Sequence, residues 1–207
     1  VTTRTYLEAI TRLRISTEKN PMPNAAPSAA RSPLLSQYAW LAKEPGPKML
    51  IEALKVFGTV EGPGARDNPT ILAWAAEIGQ GRTYSHDSIP WCGLFMGLIA
   101  HRAGRPVVDS PLWALSWADF GKSAAGGAML GDVLTFKRNG GGHVSLYVGE
   151  DSAAFHCLGG NQSDKVCITR IAKSRLYRAR RSSYSVQPAN VRKVVLASNG
   201  KLSTNEA

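Results

Sequence analysis

Apolar positions along the chain follow two regimes, helical spacing in the first half and alternation in the second. Leu7, Ile10 and Leu13 predict one short amphipathic helix over residues 5–16. Residues 48–57 (KMLIEALKVF) put Leu50, Ile51, Leu54 and Phe57 on one stripe, and residues 69–78 (PTILAWAAEI) repeat the pattern with Ile71, Trp74, Ala75 and Ile78. Pro69 suits a first helical turn, where its missing N–H costs nothing. Residues 58–68 between these helices read as a turn-rich loop. A third helix is expected over residues 90–102, with Cys92, Phe95, Met96 and Ile99 at helical offsets. It is apolar on nearly every side, the pattern of a buried central helix.

The period then changes. Residues 132–137 (DVLTFK), 143–148 (HVSLYV), 153–158 (AAFHCL) and 166–171 (VCITRI) are short, rich in β-branched and aromatic residues, and divided by Gly-rich turns. They predict an antiparallel β-meander. Helices first and strands second predict an α+β fold with the helices packed on one side of the sheet. Residues 18–33 (EKNPMPNAAPSAARSP) place four prolines among small residues, the composition of an extended linker. The chain is therefore read as an N-terminal helix and Pro/Ala-rich linker over 1–33, a globular domain over 34–184 and a basic C-terminal tail over 185–207. The N-terminal arm is either a docking element for a larger assembly or a disordered leader.

Composition narrows the classes. With 207 residues, 43% of them hydrophobic, the chain suffices for one domain with modest extensions. Its longest apolar run, Trp91 to Ala100, contains two glycines and is half the roughly 20 residues a membrane-spanning helix needs, so no span is expected. The first sixteen residues lack an apolar h-region and a small-residue cleavage site, so no secretory signal is read there. The net charge is +10, and from Asp164 onward ten basic residues face only Asp164 and Glu206. Such a field favours an anionic partner. No helix-turn-helix, zinc-finger or aromatic RNA-binding signature accompanies it, so no specific nucleic acid is expected. Three cysteines are too few and too odd in number for a disulfide framework, and zinc-ligand spacings are missing. Neither metal nor cofactor is expected.

Cys92 falls in the first turn of the third helix, where unsatisfied N–H groups and the helix dipole favour a thiolate and lower its pKa. A buried structural cysteine is the blander reading. His143 opens a strand directly after Gly140, Gly141 and Gly142 and shares a face with Ser145 and Tyr147, while Val144, Leu146 and Val148 point into the core. A histidine so placed can reach the end of a packed helix, as a general base toward a thiol requires. Asn161, in the turn after the next strand, falls where a third polar group could hold the imidazole. Asp87 reads as a helix cap or a binder of a substrate amine. His86, His101 and His156 have no partner in the pattern, and His156, close to the Asn161 turn, is the reserve base. Cys157 and Cys167 read as core fillers or, alternatively, as a disulfide between neighbouring strands. Trp113 and Trp117 line a groove for sugar or peptide, or simply pack.

The strings DSIPWCGLF (87–95), GDVLTFKRNGGGHVSLYVGED (131–151) and LGGNQSDKVCI (158–168) resemble the CHAP and NlpC/P60-like cysteine peptidase superfamily, in particular a bacterial and phage subgroup of cell-wall hydrolases. EGPGARDNPTILAW (61–74) and KSRLYRARR (173–181) resemble the same subgroup, so that the likeness spans roughly residues 38–181. It implies a papain-like fold and hydrolysis of an amide bond in the peptidoglycan peptide, by an amidase or an endopeptidase. Cys92 would be the nucleophile, His143 the base and Asn161 the orienting residue. The acidic residue common near the third position in CHAP members is absent here, so Asn161 or Gln162 must serve. Asp87, Trp91 and Gln162 are the expected substrate-binding residues. The resemblance places such an enzyme in the bacterial cell wall or periplasm, as a phage lysin, autolysin or secreted toxin. Delivery would be by phage lysis machinery, virion or specialised secretion. The basic C-terminal region would hold an anionic envelope surface, and the N-terminal arm a virion or secretion apparatus. The alternative is a catalytically idle structural or binding protein, such as a phage tail component, that retains the fold.

Overall fold

The computed structural model describes residues 35–204. The expected helix at 5–16 and the Pro-rich linker lie outside the described residues. A 3-10 segment, Ser36–Lys43, leads into α1 (Lys48–Lys55) and α2 (Pro69–Glu77), then α3 (Cys92–Arg102), and a second 3-10 segment, Ala114–Asp119. The strands follow: β1 (Lys122–Ser123), β2 (Val133–Arg138), β3 (Gly141–Glu150), β4 (Ala154–Gly159), β5 (Cys167–Ala172) and, after a short 3-10 turn, β6 (Leu176–Arg181). The molecule is α+β, with one six-stranded antiparallel sheet in the order β1-β6-β2-β3-β4-β5.

The helices form where the periodicity places them. Pro69 occupies the first turn of α2, and the Asn68 side chain caps it by accepting from the Thr70 N–H at 2.8 Å. Every residue of α3 from Cys92 to Ala100 is buried, which makes it the central helix. At its far end Arg102 meets Glu77 of α2 through two hydrogen bonds, at 2.7 and 2.8 Å. Val133, Val144, Leu146, Val148 and Leu158 meet the helices in the main core. The alternate positions Leu134, Phe136, Tyr147, Phe155, Cys157 and Ile171 build a second, smaller core on the opposite face. The sheet is thus buried on both faces along β3 and β4.

Two elements differ from the sequence reading. β2 to β5 form the expected meander, but β6 returns to the far side of β2 and β1 pairs beyond it. Much of the charge from Arg170 to Arg181, part of the basic field that favours an anionic partner, serves as internal struts. Arg181 is bidentate on buried Asp132, with contacts of 2.7 to 3.2 Å. Arg180 donates to the Phe120 and Gly121 carbonyls, Arg170 holds Asp151 and Lys173 holds Glu150. Residues 185–204, expected as part of a separate basic tail, also belong to the body. The Leu196 N–H and the Glu150 carbonyl bond at 2.9 Å, the Glu150 N–H and the Val194 carbonyl likewise, and Ser203 donates to the Arg170 carbonyl. Among the described residues no helix is long and apolar enough to cross a membrane.

Candidate active site

Close approaches around three glycines set the start of α3. A Cβ on Gly93 would lie 2.5 Å from the carbonyl oxygens of Pro111 and Leu112, so that segment rests directly on the helix beside Cys92. On the other side, a Cβ on Gly160 would lie 2.6 Å from Phe95 and 2.8 Å from the Trp91 ring. The turn after β4 therefore presses against the same helical turn. A Cβ on Gly159 would meet the Gln162 amide and Ser145, both at 2.9 Å. The adjacent glycines let one short turn pass between helix and sheet with the Gln162 side chain tucked beneath it.

Cys92 is the first residue of α3, within the first helical turn as expected, and the backbone N–H of Val144, the residue after His143, lies close enough to act on its thiol. The structure thus brings Cys92 against the start of β3. Burial nevertheless pushes the thiol above its ordinary pKa, and hydrogen bonds from the Val144 and Gly93 N–H groups and the charge of Arg138 offset this only in part. That corrects the expectation that the helix N-terminus alone would lower it. Desolvation wins because the thiol is fully enclosed.

His143 is fully buried, stacks on Phe136 at a centroid distance of 6.4 Å, and places Nε2 3.1 Å from Oε1 of Gln162. The Gln162 amide is oriented by its other end. Nε2 of Gln162 donates to the carbonyls of Cys157 at 3.2 Å and Cys167 at 2.6 Å, so Oε1 faces the imidazole as an acceptor. His143 must then carry its proton on Nε2, which leaves the lone pair on Nδ1.

Of the two candidates for the orienting role, Asn161 and Gln162, it is Gln162 whose side chain meets the imidazole. Asn161 begins a turn in which it, Ser163 and Asp164 all take left-handed backbone conformations, with φ of 54°, 53° and 57°. Asparagine tolerates that conformation better than most residues, and this serves the backbone rather than the imidazole. Its Oδ1 is buried and, like the Ser145 hydroxyl, accepts no hydrogen bond among the described residues. Strained backbone and orphaned polar atoms beside one another mark a region shaped by more than packing.

Of the expected substrate-binding residues, Asp87 and Trp91 are engaged with the 61–68 loop. The buried Asp87 carboxylate accepts from the N–H groups of Gly62 and Asn68, each at 2.7 Å, and so folds the 62–68 loop onto the domain. It does not cap α3, whose N-cap is Trp91. Trp91 is fully buried, packs edge-on against Trp74 and donates Nε1 to Glu61 at 2.9 Å. Gln162 is buried and serves the histidine.

The reserve base His156 is committed to a different cluster. Its Nδ1 pairs with the Tyr38 hydroxyl at 2.6 Å and its Nε2 with Asp151 at 2.9 Å, while Arg170 holds the same carboxylate oxygen at 2.8 Å. Arg170 keeps the Asp151 carboxyl well below the usual carboxylate range, and burial pushes His156 below its ordinary value and Tyr38 up to about 12. Cys157 and Cys167 form no disulfide. The β4–β5 register sets Cys157 opposite Thr169 and Cys167 opposite Gly159. Among the described residues no group of three or more His, Cys, Asp or Glu side chains is placed to hold a metal ion. Of the two tryptophans in doubt, Trp117 is buried with Nε1 on the Pro111 carbonyl at 3.0 Å, and Trp113 is exposed.

No protein-family model and no curated protein matches this chain.

Proposed function

We propose that this chain is a papain-like cysteine hydrolase of the CHAP and NlpC/P60 kind, cleaving an amide bond of the peptidoglycan peptide in the bacterial cell wall. The observation that carries the reading is the hydrogen bond between His143 Nε2 and Gln162 Oε1. It fixes the imidazole tautomer one residue from Val144, whose N–H acts on the Cys92 thiol. The order of the groups along the chain and the quoted strings around them support the family assignment.

In this mechanism Nδ1 of His143 takes the proton of the Cys92 thiol as sulfur attacks the scissile carbonyl carbon. Buried Cys92 rests as a thiol, so the proton moves with the attack rather than before it. N–H groups at the start of α3 receive the developing oxyanion. Imidazolium His143 protonates the leaving amine, and a water deprotonated by His143 then hydrolyses the thioester and regenerates the thiol. Gln162 stays hydrogen-bonded throughout, holding the ring through both proton transfers. The proposed setting is delivery as a phage lysin, autolysin or secreted toxin.

The test is clearing of purified cell walls with and without alkylation. Iodoacetamide modifying Cys92 alone and abolishing clearing supports the reading. Undiminished clearing by protein fully alkylated at Cys92 overturns it. One observation favours a second reading, a catalytically idle protein that keeps the fold: Cys92 is 3% exposed and His143 and Gln162 are fully covered. That reading expects no clearing by any form of the protein.

A further inference from the structure

Trp113 is 61% exposed, and it is the only exposed aromatic side chain among the described residues. Its position is set by the site on both sides. Leu112, just before it, lays its carbonyl against Gly93 beside Cys92, and Leu115, just after it, packs onto Gly142 beside His143. The turn that carries it is rigid: the Trp113 N–H donates to the Ser110 carbonyl at 3.0 Å, Ser116 N–H to the Trp113 carbonyl at 3.1 Å, and Trp117 Nε1 to the Pro111 carbonyl at 3.0 Å. Trp113 is one wall of a cleft of about 330 Å³ whose polar lining comes from Gln80, Thr83, Asp109 and Ser110.

We infer that this cleft binds a saccharide ring of the wall glycan, with Trp113 as its stacking platform, and so places the attached peptide at Cys92. The inference rests on the hydrolase reading above. A flat indole with few rotamers offers a large apolar face at low entropic cost. The surrounding hydroxyl, amide and carboxylate groups match the hydroxyls of a neutral sugar. The lining contains Asp109 and no lysine or arginine, which disfavours an anionic ligand such as the carboxylates of a stem peptide. Neither Trp113 nor Asp109 belongs to the proposed chemistry, so their substitution separates binding from turnover.

The experiment uses the full chain carrying Cys92→Ala, titrated calorimetrically with a β-1,4-linked tetrasaccharide of N-acetylglucosamine and, separately, with an amidated stem peptide. The expected result is saccharide binding weakened about tenfold or more by Trp113→Ala and largely kept by Trp113→Tyr. In the active chain, Trp113→Ala raises KM for walls and leaves kcat on a small peptide amide unchanged. Equal saccharide affinity with and without the indole overturns the inference, as does binding at Trp113 of the stem peptide but not the saccharide. Saccharide binding that persists in a protein unable to cut walls would sink the hydrolase reading alone. Unchanged KM in a protein that does cut them would sink the platform alone. An unaltered far-UV circular dichroism spectrum checks that the variants fold.

Discussion

Gln162 holds His143 from a turn that the sequence places nineteen positions further on, with Oε1 of the amide 3.1 Å from Nε2 of the ring. The amide nitrogen is fastened to two backbone carbonyls, so the acceptor end has one orientation and the imidazole one tautomer. Only in that tautomer does Nδ1 act as a base.

Replacing Gln162 by Ala should therefore lower kcat on the order of 10²-fold or more, because the ring loses its orientation and tautomer. Gln162→Glu keeps an acceptor toward His143 but loses the donor to the Cys157 and Cys167 carbonyls, at a stability cost of about 1–3 kcal/mol. It should retain more turnover than Gln162→Ala, with the histidine limb of the pH profile moved to higher pH by the added negative charge. Steady-state rates across pH, together with thermal melts, check both parts.

Gly93→Ala tests the close approach beside Cys92. The new methyl would lie 2.5 Å from the carbonyl oxygens of Pro111 and Leu112, so backbone rather than a flexible side chain must give way. A loss of about 1–3 kcal/mol or more is expected, accompanied by displacement of the 111–115 segment. Denaturant unfolding measures the first, and the fluorescence of Trp113 and Trp117 reports the second.

Arg181→Ala leaves the buried Asp132 carboxylate without its bidentate partner. Burial already pushes that carboxyl up and Arg181 opposes it, so the variant should lose about 3–5 kcal/mol at neutral pH. Because protonation removes the stranded charge, the deficit should shrink in acid. Melting temperatures of wild type and variant at neutral and acidic pH check this.

Acid should destabilise the Tyr38–His156–Asp151–Arg170 cluster in two stages. Burial lowers the folded-state pKa of His156, so the unfolded chain takes up the proton first and stability begins to fall as pH drops below about 6.5. Asp151 is depressed mainly by Arg170, so its contribution is complete above about pH 4 and is lost below it. His156→Gln should flatten the first stage and leave the second. A melting-temperature profile from neutral pH into acid decides.

Much of the framework was legible because it depends on local period. α3 is apolar from Cys92 to Ala100 in the sequence and buried over the same residues in the fold, and the alternation along β2 to β4 sorts their residues between the main core and the smaller one. β6 was not legible. Arg180 and Arg181 read only as part of a basic field until the fold brings up the Phe120 carbonyl and Asp132, some fifty to sixty residues away in the chain. The same holds for Asp87 and Trp91, whose partners Gly62, Asn68 and Glu61 lie on a distant loop.

At the site, the sequence pointed to Cys92 and His143 by their element ends, which local patterns reveal. It could not rank Asn161 against Gln162, since one residue of backbone rotation in a left-handed turn decides which side chain meets the imidazole. Nor could it tell Trp113 from Trp117. Their burial depends on how the 3-10 segment sits against the sheet, and that contact leaves no periodic trace.

The central claim is that Cys92 cuts an amide bond of peptidoglycan. The most direct measurement is digestion of purified sacculi by wild type and by Cys92→Ala, with mass spectrometry of the soluble products. The account predicts muropeptide or peptide fragments, released by wild type and absent with the variant, whose masses differ from intact wall units by one water at an amide bond. No fragments from several wall types with folded wild-type protein, or the same fragments from the Cys92→Ala protein, would contradict it.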